Sequence, residues 1–468
     1  MMKLAPYPEY KDAGVSWVGS IPAHWPEKRA KYYFKEIDDR SQTGDEEMLS
    51  VSHITGVTPR SQKNVTMFKA ESNVGQKRCQ PGDLIINTMW AWMSALGVSN
   101  HDGIVSPAYG VYRPRSSHAY DIDYLDHLLR IEGYRSEYIC RSTGIRSSRL
   151  RLYPDKFLSM PVVCPPQEEQ QTIARFLKAQ DLLFRKFIRN KRRFIELLKE
   201  QKQNVINQAV TRGLDPKVKF KPSGVEWIGD IPEHWDARRL KTIAKVVLGK
   251  MLKTSPSKDD QLKPYLRSAN IQWFEANLSD VASMWFSQSE MEQYRISKND
   301  ILVSEGGEVG RACIWQDELE ECYIQNSVHK VTAGAEVLPL FLLYQFSAFG
   351  SKGAFKAVVN RVSIAHLTRE KLVAVFFCKP PIEEQKTILA HIQAKTAEID
   401  QAIIRAQREI ELMREYRTRL ISDVVTGQVD VRGIEVPEVA EDELLALEED
   451  TADADDVIDD EGEMDETD

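Results

Sequence analysis

Pro165-Pro166-Gln167-Glu168-Glu169-Gln170 opens a stretch that reaches Arg212 without another proline or glycine and stops at Gly213. Two prolines end whatever precedes it, two carboxylates sit in the first turn where the helix dipole favours them, and a glycine follows the last turn. These signals predict one long helix. Pro380-Pro381-Ile382-Glu383-Glu384-Gln385 opens a second such stretch 215 residues later, closed by Gly427. The spacing needs no gap, so the chain reads as a duplication organised around two equal helices.

Both helices carry apolar residues on one heptad frame. In the first, Leu177, Phe184, Leu198 and Val205 fall seven or fourteen apart, flanked by Phe187, Ile188, Phe194 and Ile195. In the second, Ile392, Ile399, Ala406, Met413 and Leu420 fall seven apart. Such a stripe predicts a coiled-coil seam in which Leu177, Phe184, Phe187, Leu198, Val205, Ile392, Ile399, Met413 and Leu420 make the helix-pair and partner contacts. An ordinary pair of core helices shows the same periodicity. Length favours a spacer, because about 44 residues at about 1.5 Å each give a rod of about 66 Å.

The 468 residues leave room for two or three domains, and 42% hydrophobic content gives each a core. No apolar run approaches membrane-spanning length and Met1 to Tyr10 lacks a signal-peptide core, which predicts a cytoplasmic protein. Six cysteines are scattered without a C-x-x-C, so they are expected to be reduced and no metal site is implied. The net charge of -8 conceals an asymmetry. Of 70 acidic residues, 18 lie between Glu435 and Asp468, where there is no Lys or Arg; the other 434 residues hold 62 basic against 52 acidic groups. A body of +10 with an acidic, disorder-prone tail suits a polyanionic partner, although a plain solubilising tail has the same composition.

The repeat is also visible ahead of each helix. Gly14 to Trp25, GVSWVGSIPAHW, returns as Gly224 to Trp235, GVEWIGDIPEHW, with eight of twelve positions identical. Trp17, Ile21 and Trp25, with Trp227, Ile231 and Trp235, are expected to pin this segment to a domain edge, and His24 and His234 to be structural hydrogen-bonders. The boundaries that follow are a domain over 1–164, a helix over 165–212, a domain over 213–379, a helix over 380–428 and the tail over 429–468. Periodicity predicts mixed α/β domains. The first has strands at 48–51, 84–86, 109–112 and 157–163 and helices at 28–34 and 122–138. The second has strands at 264–267, 301–304, 312–315, 328–331 and 372–377 and helices at 237–247 and 338–349. Gly82-Asp83-Leu84-Ile85 matches Asn299-Asp300-Ile301-Leu302, yet the interiors differ.

Connectivity then predicts antiparallel helices. Domain termini lie close together, so the second helix begins where the first ended and returns the chain to its start, giving a circular molecule with a pseudo-twofold axis.

The G-V-x-W-x-G-x-I-P-x-H-W entrance, the P-P-x-E-E-Q helix opening and their repetition resemble the specificity (S) subunit of type I restriction-modification systems, over about residues 5 to 430. The resemblance implies two target recognition domains, each reading half of a bipartite double-stranded DNA site, with the helices fixing the spacing. It also implies assembly with two methyltransferase subunits and with restriction subunits that translocate DNA. Phosphate contacts come from Lys and Arg, and base contacts from polar and aromatic loop residues. The candidates are Trp90, Trp92, Arg146, Arg149 and Arg151 in the first domain and Arg267, Asn270, Glu305, Arg311, Arg361 and His366 in the second. Each has a structural alternative, a packed tryptophan or a surface charge.

Catalysis is expected elsewhere. There is no G-x-x-x-x-G-K-[ST] loop, Gly306, Gly307 and Gly310 do not form G-x-G-x-x-G, and no N-P-P-[FYW] occurs. Pro154-Asp155-Lys156 is read as a turn. The resemblance implies S-adenosylmethionine, ATP and Mg on partner subunits, and no cofactor or metal is expected on this chain. The competing readings are a duplicated coiled-coil adaptor that binds only proteins, and a self-sufficient nuclease or methyltransferase; neither accounts for the repeated entrance.

Overall fold

The computed structural model describes residues 5–437 and 439, apart from 16, 54, 63–71, 117–118, 145–149 and 359–365. Most of the acidic tail, 438 and 440–468, therefore lies outside the described residues. The chain divides into a unit of residues 1–191 with 408–468 and a unit of residues 192–407. Each long helix thus contributes one part to each unit.

The helices run Gln167–Arg212 and Ile382–Val425, 46 and 44 residues. Each ends at a glycine in the left-handed region, Gly213 at φ 71° and Gly427 at φ 76°, a backbone that side chains with a Cβ resist. In the first unit the helices pair through Asp181–Arg417 at 2.6 Å, Lys191–Glu409 at 2.5 Å and an edge-on Phe184–Tyr416 contact. In the second unit Lys202 bonds Asp400 at 2.6 Å. In the first unit rising numbers on one helix meet falling numbers on the other, so the parts paired there are antiparallel.

The heptad seam is only partly followed. Leu177, Phe184, Ile392, Ile399 and Leu420 are buried, but Phe187, Leu198, Val205 and Met413 are half-buried, while Ile195, Ile206 and Ile410 go deep. A straight α-helix drifts by about 20° per heptad, so a strict seven-residue stripe rotates away from the contact.

Both units contain a four-stranded antiparallel sheet of the same order. In the first it runs Phe34–Ile37, Gly110–Pro114, Leu84–Ile86, Leu96–Val98. In the second it runs Ala244–Leu248, Val328–Ala333, Ile301–Ser304, Ala312–Ile314. The turn into the third strand explains the match noticed in sequence. Gly82 at φ 89° and Asn299 at φ 72° take the left-handed position, which glycine and asparagine tolerate best. The aspartate that follows accepts a backbone N–H, from Gln80 at 3.0 Å or Ser297 at 2.9 Å. It then braces the central strand, Asp83 through two 2.8 Å bonds from Arg113 and Asp300 through Thr332 at 2.5 Å.

Several predicted elements change type. The 28–34 and 237–247 segments, expected as helices, are strands Glu27–Arg29 and Asp236–Arg239, a single turn, and then sheet strands. Pairing with Pro161–Val163 and Phe376–Lys379 overrides local propensity. The expected closing strands 157–163 and 372–377 are correspondingly half helix, Pro154–Leu158 and Arg369–Ala374. Pro154-Asp155-Lys156 thus starts a helix rather than forming an isolated turn. The single helix expected over 122–138 is two, Ile122–Leu129 and Glu132–Arg141, because buried Ile131 is extended between them.

Candidate nucleic-acid interface

The site is positioned by a joint between each domain and its helix. Trp25 and Trp235 are fully buried, and Ile21 and Ile231 lie beside them in the core. Glu169 accepts from Trp25 Nε1 at 3.1 Å and meets His24 Nε2 at 2.9 Å; Glu384 does the same with Trp235 at 3.0 Å and His234 at 2.8 Å. The neighbouring glutamine completes the clamp. Gln170 Oε1 accepts the N–H of Asp121 at 2.7 Å, where Asp121 caps the Ile122–Leu129 helix. Gln385 Oε1 accepts that of Leu338 at 2.8 Å, the residue ahead of helix Pro339–Ser351. Each glutamine also donates to its own proline carbonyl, Pro165 at 2.8 Å or Pro380 at 3.0 Å. P-P-x-E-E-Q is therefore a three-way clamp, and the two histidines hold it together.

The first unit adds a closure. Asp430 N–H donates to Ala5 O at 2.8 Å, Tyr10 Oη to Gly427 O at 3.1 Å and Gln428 Nε2 to Ser20 O at 2.7 Å. The end of the second helix is thereby fastened to the start of the chain.

Beyond the joint, one strand-connecting loop in each unit gathers candidate residues. In the first unit it joins Leu84–Ile86 to Leu96–Val98, and Thr88 O accepts the N–H of Leu152 at 2.9 Å. This draws exposed Arg151 to 3.7 Å from Met89 Sδ, beside Trp90 and Trp92, whose rings stack 6.2 Å apart. Both indoles are half-buried, and Trp92 O accepts from Arg135 at 3.1 Å. Arg146 and Arg149 lie outside the described residues.

In the second unit the corresponding loop joins Ile301–Ser304 to Ala312–Ile314, and Glu305 O accepts the N–H of Leu367 at 2.9 Å. Exposed His366 is thereby brought to Gly306, and burial raises the Glu305 carboxyl above its usual range, against the opposing charge of His366. Buried His329, held below the usual histidine range by desolvation, bonds Leu367 O at 2.7 Å and fastens the segment from beneath.

Other candidates are occupied by the protein itself. Asn270 is 3% exposed; its side chain accepts the N–H of Arg267 and donates to Asn277 O and Asp280 O, so it staples a loop and offers nothing to a duplex. Arg267 pairs with Asp280, while Arg311 donates to Ser268 O at 3.2 Å and neighbours Glu308. Arg361 lies outside the described residues.

Sequence reasoning missed Gln325-Asn326-Ser327, the turn where these loops meet. Ser327 O accepts from Glu305 N–H at 2.9 Å and Ser268 Oγ at 2.7 Å, Gln325 N–H donates to Leu266 O at 3.0 Å, and Asn326 N–H donates to Lys250 O at 2.8 Å. Only tertiary contact distinguishes this polar turn from any other.

All six cysteines are free and five are buried. Among the described residues no group of three metal-ligating side chains occurs, and no helix is long and apolar enough to cross a membrane.

Comparison with known proteins gives a consistent result. Residues 232–411 match the family described as the type I restriction modification DNA specificity domain. The putative type I restriction enzyme MjaX specificity subunit of Methanocaldococcus jannaschii is 25% identical over 322 residues, covering 66% of this chain and 68% of that protein. The MjaVIII specificity subunit of the same organism is 23% identical over 291 residues, 59% of this chain and 64% of that one. A chain from a structure concerned with complex assembly and conformational transition of the type I R-M system superposes with a TM-score of 0.63 at 14% identity. That match covers 87% of this chain and 99% of the other, and shows the same fold. Over residues 232–411 by the family match, and over about two thirds of its length by these relatives, this chain is therefore similar to the specificity subunits of type I restriction-modification systems.

Proposed function

We propose that this chain is the DNA sequence-recognition subunit of a type I restriction-modification complex. Each α/β region reads one half of a bipartite site, and the two long helices set the gap between the halves. One observation carries the reading: a common frame bears unlike edges. The strand order, the aspartate turn and the Leu152 and Leu367 bonds recur, while Trp90 and Arg151 stand at one edge and Glu305 and His366 at the other. Two readers of one sequence need like edges, whereas readers of two different half-sites need unlike ones.

From the sequence repeat we also propose a pseudo-twofold relation between the two regions, which suits half-sites about one helical turn, roughly 34–36 Å, apart. The chain performs no chemistry itself. It scaffolds two methyltransferase subunits and the restriction subunits, which bring S-adenosylmethionine, ATP and Mg²⁺, and it works in the cytoplasm.

Methylome sequencing of a host carrying this chain with its neighbouring methyltransferase tests the proposal. A bipartite methylated motif of fixed gap that vanishes when this chain is deleted is the expected result. An unchanged methylome with the methyltransferase expressed would favour an adaptor that binds only proteins.

A further inference from the structure

Among the described residues, two large and exposed apolar side chains are sequence neighbours. Met251 is 75% exposed and Leu252 is 56% exposed, on the loop that follows strand Ala244–Leu248. Soluble proteins tolerate single exposed apolar side chains, but here the backbone is clamped on both sides of the pair. Before it, Lys250 N–H donates to Ile324 O at 3.0 Å and Lys250 O accepts from Asn326 N–H at 2.8 Å. The buried Lys250 ammonium pairs with Glu290 and lies 5.2 Å from the Phe286 ring centroid. After the pair, Lys253 Nζ meets Asp260 at 2.5 Å and Ser257 Oγ at 2.9 Å, and Lys253 O accepts from Trp285 N–H at 3.3 Å. The side chains therefore project from a fixed support and take no part in any core cluster.

The support belongs to the candidate interface, because Asn326 lies in the turn on which the loops of the second unit converge. Three nearby carboxylates are paired, Glu290 with Lys250, Asp260 with Lys253 and Glu321 with Lys263 at 2.6 Å, and exposed Asp259 follows exposed Lys258, so the loop presents no net negative charge to a polyanion. Two adjacent apolar residues followed by Thr254 and Ser255 are too few for a protein-docking patch, which takes a few hundred Å². They are enough for a wedge between base steps, which uses one or two such side chains.

We propose that Met251 and Leu252 form an apolar wedge that enters between two base pairs of the target duplex from the minor groove. The proposal rests on the DNA-recognition reading and adds a mode of contact to it. The wedge makes the half-site read by this unit favour a flexible step, because an easily unstacked step costs less to open.

The test uses the complex of this chain with its methyltransferase subunits and a duplex carrying the motif returned by methylome sequencing. 2-Aminopurine is placed in turn at each step of both half-sites. The unaltered complex should brighten the probe at one step, and Met251→Ala/Leu252→Ala should abolish that signal and weaken binding about tenfold or more. The salt dependence of binding should not change, because no phosphate contact is lost. Leu262→Ala, at a 55% exposed position on the adjacent strand, should bind as the unaltered complex does. Unchanged affinity of the double variant, absence of a brightened step, or an equal loss from Leu262→Ala would each overturn the wedge. Failure of the unaltered complex to prefer its motif would instead remove the recognition reading, and the wedge with it.

Discussion

Arg151 and His366 occupy equivalent places in the two units. Each immediately precedes a leucine whose N–H is accepted by the carbonyl of a strand-connecting loop, Thr88 O in one case and Glu305 O in the other, both at 2.9 Å. Above the first carbonyl stand Met89 and two stacked tryptophans; above the second stand Gly306 and Gly307, open and flanked by carboxylates. The bonds that hold the edge use main-chain atoms, which every residue but proline supplies. The side chains presented by the edge are therefore free to differ without loss of the fold. Sequence divergence at these edges is the freedom that a main-chain frame permits, and it is where a reader of DNA has to vary.

The largest test of this comparison lies in the frame. Trp25→Ala and Trp235→Ala should each cost about 3–5 kcal/mol in chemical denaturation, since both indoles are fully buried. A cost below about 1 kcal/mol at one of them would break the equivalence of the joints. A sharper test removes the carboxylates. Glu169 is 5% exposed and lies 3.6 Å from Arg432, whereas Glu384 is 29% exposed. Glu169→Ala should cost about 2–3 kcal/mol and Glu384→Ala about 1 kcal/mol, because water can replace the second partner but not the first.

At the edges, Arg151→Ala and His366→Ala should each relax or weaken one half of the methylated motif and leave the other intact. The expected effect is about tenfold, or about 1.4 kcal/mol, read as methylation of mismatched sites. Loss at both halves from one substitution would mean that the edges do not act separately.

The smallest effect is a pH dependence. Burial lowers the pKa of His329 in the folded state, so the unfolded chain binds its proton more readily. The stability this histidine contributes is fully present above about pH 6.5 and is lost as pH falls from there through the lowered folded value. Thermal unfolding between pH 7.5 and 5 should show a decline of up to about 1 kcal/mol per pH unit that His329→Gln reduces. His127 in the first unit is likewise lowered, chiefly by desolvation, so the decline should shrink rather than vanish.

The two long helices were legible because proline, glycine and charge mark helix ends locally. The joint was half legible: the repeated tryptophans and the Glu-Glu-Gln run stand out in the sequence, but nothing in it says that they meet. The short strands flanking each joint were misread as helix. Their residues, such as Lys28 and Arg238, gain strand geometry only from a partner more than a hundred residues away. Asn270 looked like a reader by type and is a staple by position, and Gln325 and Asn326 looked ordinary until the loops around them closed.

The sequence by itself determined the duplication, the two helices and their ends, and the glycine or asparagine turn before each central strand. Those features depend on a few neighbouring residues and on backbone angles that only certain residues accept. The tertiary structure alone decided which carboxylate holds which tryptophan, which polar groups are spent inside the fold, and which side chains stand at the edges of the two sheets. Those outcomes depend on long-range main-chain bonds, and main-chain atoms leave no signature in residue identity.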